Sequence, residues 1–169
     1  MVEAARDSTC EKHRGFVPLI AAIERIEGEV EETSPWLLRA DALGLHEGLA
    51  HGLMPHAIGE GRTVFPTLRR VTGKGDASRE MLREHREIAR LTDELERIVR
   101  DVSPGEASAS RERALHDVLR DLRAAVRDHF EAEEQVCFQV LSAELGPDET
   151  RELYEAMERA TAEIRRAYE

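Results

Sequence analysis

Two short motifs in this sequence place an imidazole and a carboxylate four residues apart: His56 with Glu60, and His129 with Glu133. On an α-helix, residues four apart lie on the same face, one turn from each other, so each pair can act on one ligand. Each pair also falls on the apolar stripe of its helix, where a carboxylate without a counter-charge is costly. The pattern therefore favours a bound metal cation.

The spacing of the histidines is a second signal. His13 and His56 are 43 residues apart, and His85 and His129 are 44 residues apart. This near-repeat indicates two helical hairpins, each with one histidine followed by one HxxxE motif. Antiparallel packing of the hairpins would bring four imidazoles and two carboxylates to one level of the core.

The hydrophobic pattern indicates that these groups are buried. His129 and Glu133 share a helical face with the valines and leucines of their helix, and His85 lies on the inner face of the preceding helix. Two buried carboxylates would repel each other, and their pKa values would rise. A bridging dication removes that penalty, and a purely structural polar core is the alternative interpretation.

The ligand types limit the choice of metal. The set contains imidazoles and carboxylates but no thiolate, which disfavours a structural zinc site. Mixed ligation of this kind suits iron, with manganese as a competitor. If both glutamates bridge two six-coordinate ions together with one bridging oxygen, about one position on each ion stays open for a small ligand.

The elements that must position these residues are helices. Periodicity predicts an all-α protein with four long helices. The first two cover about residues 4–31 and 35–71, the third starts at Asp76 or Ser78 and ends at about residue 103, and the fourth ends at Gly146 and Pro147. Short connections favour an up-down-up-down four-helix bundle over about residues 4–145, followed by a short tail helix at about 147–168. We expect one domain over residues 1–169.

The second predicted helix has an unusual composition for a helix. It contains Pro55 and several glycines, among them Gly52, Gly59 and Gly61. Pro55 directly precedes His56 and should kink the helix or open a backbone hydrogen bond there. Two interpretations stay open: the glycines serve close helix packing, or the bend orients His56.

Charge and composition exclude several functions. The net charge is −11 and no basic block is present, which argues against nucleic acid and anionic membranes as partners. No apolar stretch is long enough to span a bilayer, and no signal-like segment starts the chain, so we expect a cytoplasmic protein. Cys10 and Cys137 form no CxxC motif and suggest no disulfide framework.

The pattern H…HxxxE…H…HxxxE resembles the hemerythrin-like, or HHE cation-binding, family of four-helix bundles. The resemblance spans about residues 10–145 and is most specific at residues 53–66 and 129–138. It implies a non-heme diiron centre, its two irons bridged by an oxo or hydroxo group. By the same resemblance, the ligands would be His13, His56, Glu60, His85, His129 and Glu133.

The sequence also departs from that family's pattern. Oxygen-carrying hemerythrins have a further histidine four residues after the third-helix ligand, where this sequence has Ala89. The missing nitrogen would leave the cluster more open, which favours chemistry or sensing over reversible oxygen carriage. Gly61 stands where a second acid often follows the first motif. Cys137, one turn beyond Glu133, is a small apolar residue or a redox group.

The remaining histidines, His46, His51 and His116, are expected at the surface or next to the ligands. The resemblance implies a protein that binds or reacts with dioxygen, peroxide or nitric oxide, and catalase-like decomposition of peroxide is one candidate reaction. Two alternatives stay open: an iron or oxygen sensor whose fold responds to metal, and a metal-free helical interaction module.

Overall fold

The computed structural model describes residues 15–100, 109–135 and 139–168, and within them all regular secondary structure is helical. The all-α class is thus confirmed for these residues. The helices are α1 (Val17–Glu29), α2 (Pro35–Gly48), a π-helical turn (Leu49–Leu53), α3 (Met54–Arg62), α4 (Val64–Thr72), α5 (Asp76–Arg100), α6 (Ala109–Glu133), α7 (Gln139–Glu144) and α8 (Pro147–Tyr168).

Within the described residues, the first predicted helix is helical only from Val17 onward. Gly15 and Phe16 form a turn, and α1 begins at Val17 with Pro18 in its first turn. Proline has no N–H to donate and fits a helix only near its start, so a helix running on through residue 15 would lose a hydrogen bond at Pro18. The helix predicted upstream lies outside the described residues.

The helical run that carries His56 changes geometry before Pro55, as the sequence predicts. The N–H of Met54 donates to the Leu49 carbonyl, five residues earlier, which is the hydrogen bond of a π-helix. Pro55 cannot donate a hydrogen bond, and its ring clashes with the carbonyl four residues back in regular helix. The wider turn relieves that clash, and α3 then starts at Met54, two residues before His56.

A second break in the same run was not predicted. At Thr63 the backbone leaves helical geometry, with φ −125° and ψ −59°, and α4 begins at Val64. Pro66 explains the break, because its ring would clash with the carbonyl of Arg62 in a continuous helix. Gly73, at φ 65°, then ends α4 in the left-handed conformation that glycine adopts most easily.

The packing of the helices leaves a polar layer between two hydrophobic clusters. α1 packs against α2 and α6, α2 packs against α5, and α5 packs against α6. One cluster joins α1, α2, α5 and α6, and the other joins α4, α5, α7 and α8. On α5, Ile88 belongs to the first cluster and Met81 to the second, with His85 between them. The buried polar residues of α3 and α6 also lie between the two hydrophobic clusters.

The C-terminal helix α8 packs against α3. The two helices come closest at Gly59, where a Cβ would overlap the hydroxyl of Thr161 and lie 3.2 Å from the carbonyl oxygen of Met157. Glycine is therefore required for this approach, in agreement with the close packing suggested by the sequence. α8 covers the outer side of the helix that carries His56 and Glu60.

The contact at Gly59 predicts a stability difference between two glycine variants. Gly59→Ala should lower the free energy of unfolding by about 1–3 kcal/mol, because the added methyl overpacks a helix contact. Gly44→Ala should leave stability unchanged or raise it by up to about 1 kcal/mol, because alanine favours helix and a Cβ at residue 44 meets nothing within 4 Å. Urea unfolding of both variants measures the difference, and equal effects would contradict the packing.

Candidate metal centre

α3 contributes a buried imidazole and a buried carboxylate one turn apart. The Nε2 atom of His56 lies 2.8 Å from Oε1 of Glu60, and both side chains are buried. Neither Glu60 oxygen accepts a well-aligned hydrogen bond from a described residue. A buried carboxylate without such donors is costly, so its lone pairs are available to a cation.

α5 and α6 bring the other predicted groups to the same place. His85 Nε2 lies 3.5 Å from Glu60 Oε2 and 3.0 Å from Nε2 of His129. His129 Nε2 in turn lies 3.7 Å from Glu133 Oε2. One ligand atom from each of Glu60, His85 and His129 lies within 4.8 Å of the other two. Nitrogen and oxygen atoms therefore converge on one small volume.

Glu84 is a functional candidate that the sequence analysis missed. It precedes His85 on α5, and its Oε2 lies 3.0 Å from Nδ1 of His129 on α6. With Nδ1 donating to this carboxylate, the Nε2 lone pair of His129 faces the cluster. A carboxylate behind a histidine in this way is the usual orienting partner of a metal-binding imidazole. Only the pairing of α5 with α6 reveals it.

The pKa values of Glu60 and His85 place these two groups in their metal-binding forms. Burial alone would raise the pKa of Glu60, as the sequence suggested. The imidazole of His56, followed by Glu133 and His129, outweighs burial and lowers this pKa to about 2. Burial, reinforced by His129, lowers the pKa of His85 to about 3. At neutral pH, Glu60 is thus ionised and His85 is uncharged, the forms in which each binds a cation.

His129 shifts in the opposite direction. Burial lowers its pKa, but the hydrogen bond to Glu84 and the charges of Glu133 and Glu60 raise it by more. The negative field around this imidazole would favour any positive charge placed at the cluster, whether a proton or a metal cation.

Phenylalanine rings surround the imidazoles. Phe16 packs on His56 with ring centroids 5.1 Å apart, Phe65 packs on His85 at 5.2 Å, and Phe130 packs on His129 at 5.8 Å. These rings restrict the imidazole orientations and limit the water around the cluster.

One side of the cluster opens into a cavity of about 670 Å³ between the α2–α3 run and α5. His85 and Ala89 both line it, and Ala89 lies one turn along α5 from His85. The missing histidine at residue 89 thus corresponds to space beside the cluster, as the sequence suggested. Small molecules have a route to His85 at this point.

The structure brings five of the six predicted ligands together, and His13 lies outside the described residues, as does Cys137. His116 is exposed, as expected. His51 is exposed, and its Nε2 lies 3.3 Å from Oε2 of Glu47. His46 is half-buried. Both of these line the cavity beside His85.

Comparison with known families identifies the fold of the site. The hemerythrin HHE cation-binding domain matches residues 10–114, more than half of the chain. The chain belongs to this hemerythrin family. The match includes His13, His56, Glu60 and His85 and ends before the second motif, so His129 and Glu133 join the site through the geometry described above.

No curated protein and no solved structure matches the chain. Membership of the hemerythrin family implies cation binding, and the buried cluster of histidines and glutamates supplies groups suited to it. Among the described residues, no helix is both long and apolar enough to cross a membrane.

Proposed function

We propose that this hemerythrin-family protein holds two iron ions at the cluster and binds or reacts with dioxygen, peroxide or nitric oxide there. The observation that carries the proposal is the convergence of Glu60, His85 and His129 within 4.8 Å. The proposed ligands are those expected from the sequence: His13, His56, Glu60, His85, His129 and Glu133. The proposed bridge between the ions is an oxo or hydroxo group.

The position of Glu60 supports two ions rather than one. Its Oε1 faces His56 at 2.8 Å, whereas its Oε2 faces His85 at 3.5 Å. A carboxylate whose two oxygens face different imidazoles could hold one cation at each oxygen. Two carboxylates and several imidazoles, without thiolates among the described residues, suit iron, with manganese as the competitor.

The surroundings of the cluster support reaction with small ligands. When bound, an iron pair supplies electrons and open coordination positions to a small oxygen- or nitrogen-containing ligand. The chain's own part is to orient His129 through Glu84, to limit water with Phe16 and Phe65, and to leave an entry route beside Ala89. Catalase-like decomposition of peroxide is the reaction that we propose to test first.

The proposed architecture is an up-down-up-down four-helix bundle in one domain, with α8 added outside it. Two contacts support opposite directions for the α2–α4 run and α5. Arg39 Nε donates to the carbonyl of Val99 at 3.3 Å, and a Cβ on Gly61 would lie 3.5 Å from Leu82. Residues late in one segment thus meet residues early in the other.

Oxygen release from peroxide tests the proposed reaction. Iron-loaded protein should release dioxygen from hydrogen peroxide faster than the same concentration of free iron, as measured with an oxygen electrode. The His129→Ala variant is the control, since it lacks one of the converging nitrogens. Equal rates for the protein, the variant and free iron would rule out peroxide decomposition. Nitric oxide and dioxygen would then each be titrated into iron-loaded protein prepared without oxygen.

Sensing is a second candidate function, and the position of α3 favours it. This helix holds His56 and Glu60, contains glycine at residues 59 and 61, and supports α8 on its outer side. Metal binding would order a helix of low intrinsic stability. The surface formed with α8 would then depend on metal.

Glu84 provides a prediction about metal affinity. Glu84→Ala should weaken iron binding about tenfold to a hundredfold, because His129 loses its orienting partner. Competition with a chelator of known affinity measures this change. The matched control is Glu80→Ala, which removes an exposed carboxylate one turn earlier on α5. Equal iron affinity in the two variants would contradict the role of Glu84.

A further inference from the structure

The cavity beside His85 is larger than a diatomic ligand or peroxide requires. Its volume of about 670 Å³ lies in the range of pockets that hold organic molecules, roughly 300–1,000 Å³. The space exists because small residues of the α2–α3 run face a small residue of α5. These residues are Ala50, Ala57 and Gly61 on one side and Ala89 on the other.

Two arginines give this cavity a cationic end. Arg62, at the end of α3, and Arg86, on α5, both line it next to Gly61 and Leu82. Neither guanidinium forms an ion pair or hydrogen bond with any described residue. By contrast, the guanidinium nitrogens of Arg90, also on α5, lie 2.7 Å from carboxylate oxygens of Glu87 and Glu94. An unpaired guanidinium is suited to bind a carboxylate through two parallel hydrogen bonds.

The opposite end of the cavity has the opposite charge. Asp93 and Glu96 line it about two to three turns further along α5 than Arg86, together with His46. Between the two ends, the lining is largely aliphatic and includes Met54 and Ala89. A ligand with one anionic head and an apolar chain matches this arrangement in only one orientation.

We propose that the cavity binds a linear, amphipathic carboxylic acid of the fatty-acid type. The carboxylate lies at Arg62 and Arg86, and the alkyl chain lies along Ala89 and Met54 and passes His85. Because His85 belongs to the metal cluster, the bound chain lies beside the reactive site. The inference thus names an organic substrate class for that site, and in this respect it rests on the proposed function.

Binding of dodecanoate below its micelle concentration tests the proposal. The measurement is isothermal titration of metal-free and iron-loaded protein with dodecanoate, and with dodecanol as an uncharged analogue. Both protein forms should bind dodecanoate, and the Arg62→Ala/Arg86→Ala double variant should bind it at least about tenfold more weakly, since two charge-assisted contacts are lost. Dodecanol should bind more weakly than dodecanoate and respond little to the double variant.

Filling the cavity is the second arm of the test. Ala89→Leu should also weaken dodecanoate binding at least about tenfold, because the longer side chain occupies the alkyl path. Arg97→Ala removes an exposed arginine of α5 outside the cavity and should leave binding unchanged. Absence of saturable binding to the wild-type protein, or equal binding to wild type and both cavity variants, would overturn the proposal.

Iron content measured on the same preparations separates this inference from the proposed function. Protein that holds iron but binds no dodecanoate overturns the organic ligand and leaves the iron site in place. Protein that binds dodecanoate in an Arg62- and Arg86-dependent way but holds no metal supports the cavity ligand and overturns its placement beside a reactive centre.

Discussion

Replacement of Glu60 by glutamine should lower the iron content from about two ions per chain to less than about half an ion. The carboxylate is buried, and its two oxygens face the imidazoles of His56 and His85. Glutamine keeps the size of the side chain but offers a single neutral oxygen, so it cannot bridge two cations. Elemental analysis of the purified variant, after growth in iron-rich medium, gives the number directly.

Glu87→Gln is the matched control for this experiment. Glu87 lies on α5, its side chain is about half exposed, and it pairs with Arg90 rather than with the cluster. This variant should keep the wild-type iron content, and the circular dichroism of both variants should remain that of the helical wild type. A Glu60→Gln protein with undiminished iron would contradict the proposed role of Glu60 as a ligand of both ions.

Removal of the metal should produce the largest change in stability. Chelation should lower the free energy of unfolding by about 4 kcal/mol, the value expected for a ligand present at a thousand times its dissociation constant. The physical reason is that Glu60 and Glu133 are buried carboxylates, whose charge a bound metal would offset. Urea unfolding of iron-loaded and chelated protein measures the difference.

The loss of stability should be concentrated in α3. This helix holds two of the proposed ligands, follows a π-helical turn, and contains Gly59 and Gly61. Amide hydrogen exchange should therefore accelerate more over residues 54–62 than over the long helices α5 and α6. In the Glu60→Gln variant, the chelator should change neither the unfolding midpoint nor the exchange pattern. Identical unfolding of wild-type protein with and without metal would contradict the account and remove the support for metal sensing.

Much of this arrangement could be predicted from the sequence, because it depends on local signals. Helical periodicity, the glycine at residue 73 and the acidic residue at 76 indicate where α4 ends and α5 begins. The position of Pro55 before His56 predicted the altered turn that precedes α3. The HxxxE spacing placed each imidazole on the same face as its carboxylate, and the apolar residues around them indicated burial.

Other features depend on which helices become neighbours, and no local signal encodes that. Glu84 reaches His129 only because α5 packs against α6. The contact of Gly59 with Thr161 joins residues about a hundred positions apart, so the sequence did not predict where α8 packs. The break at Thr63 did have a local cause in Pro66, four residues after Arg62, and could have been predicted from it.

The measurement that most directly tests the central claim is elemental analysis of freshly purified wild-type protein for iron, manganese and zinc per chain. The account predicts about two iron ions per chain, or two of manganese where that metal competes successfully. A protein that is fully helical by circular dichroism but holds none of these metals would contradict it. The buried cluster of Glu60, His85 and His129 would then be a structural polar core.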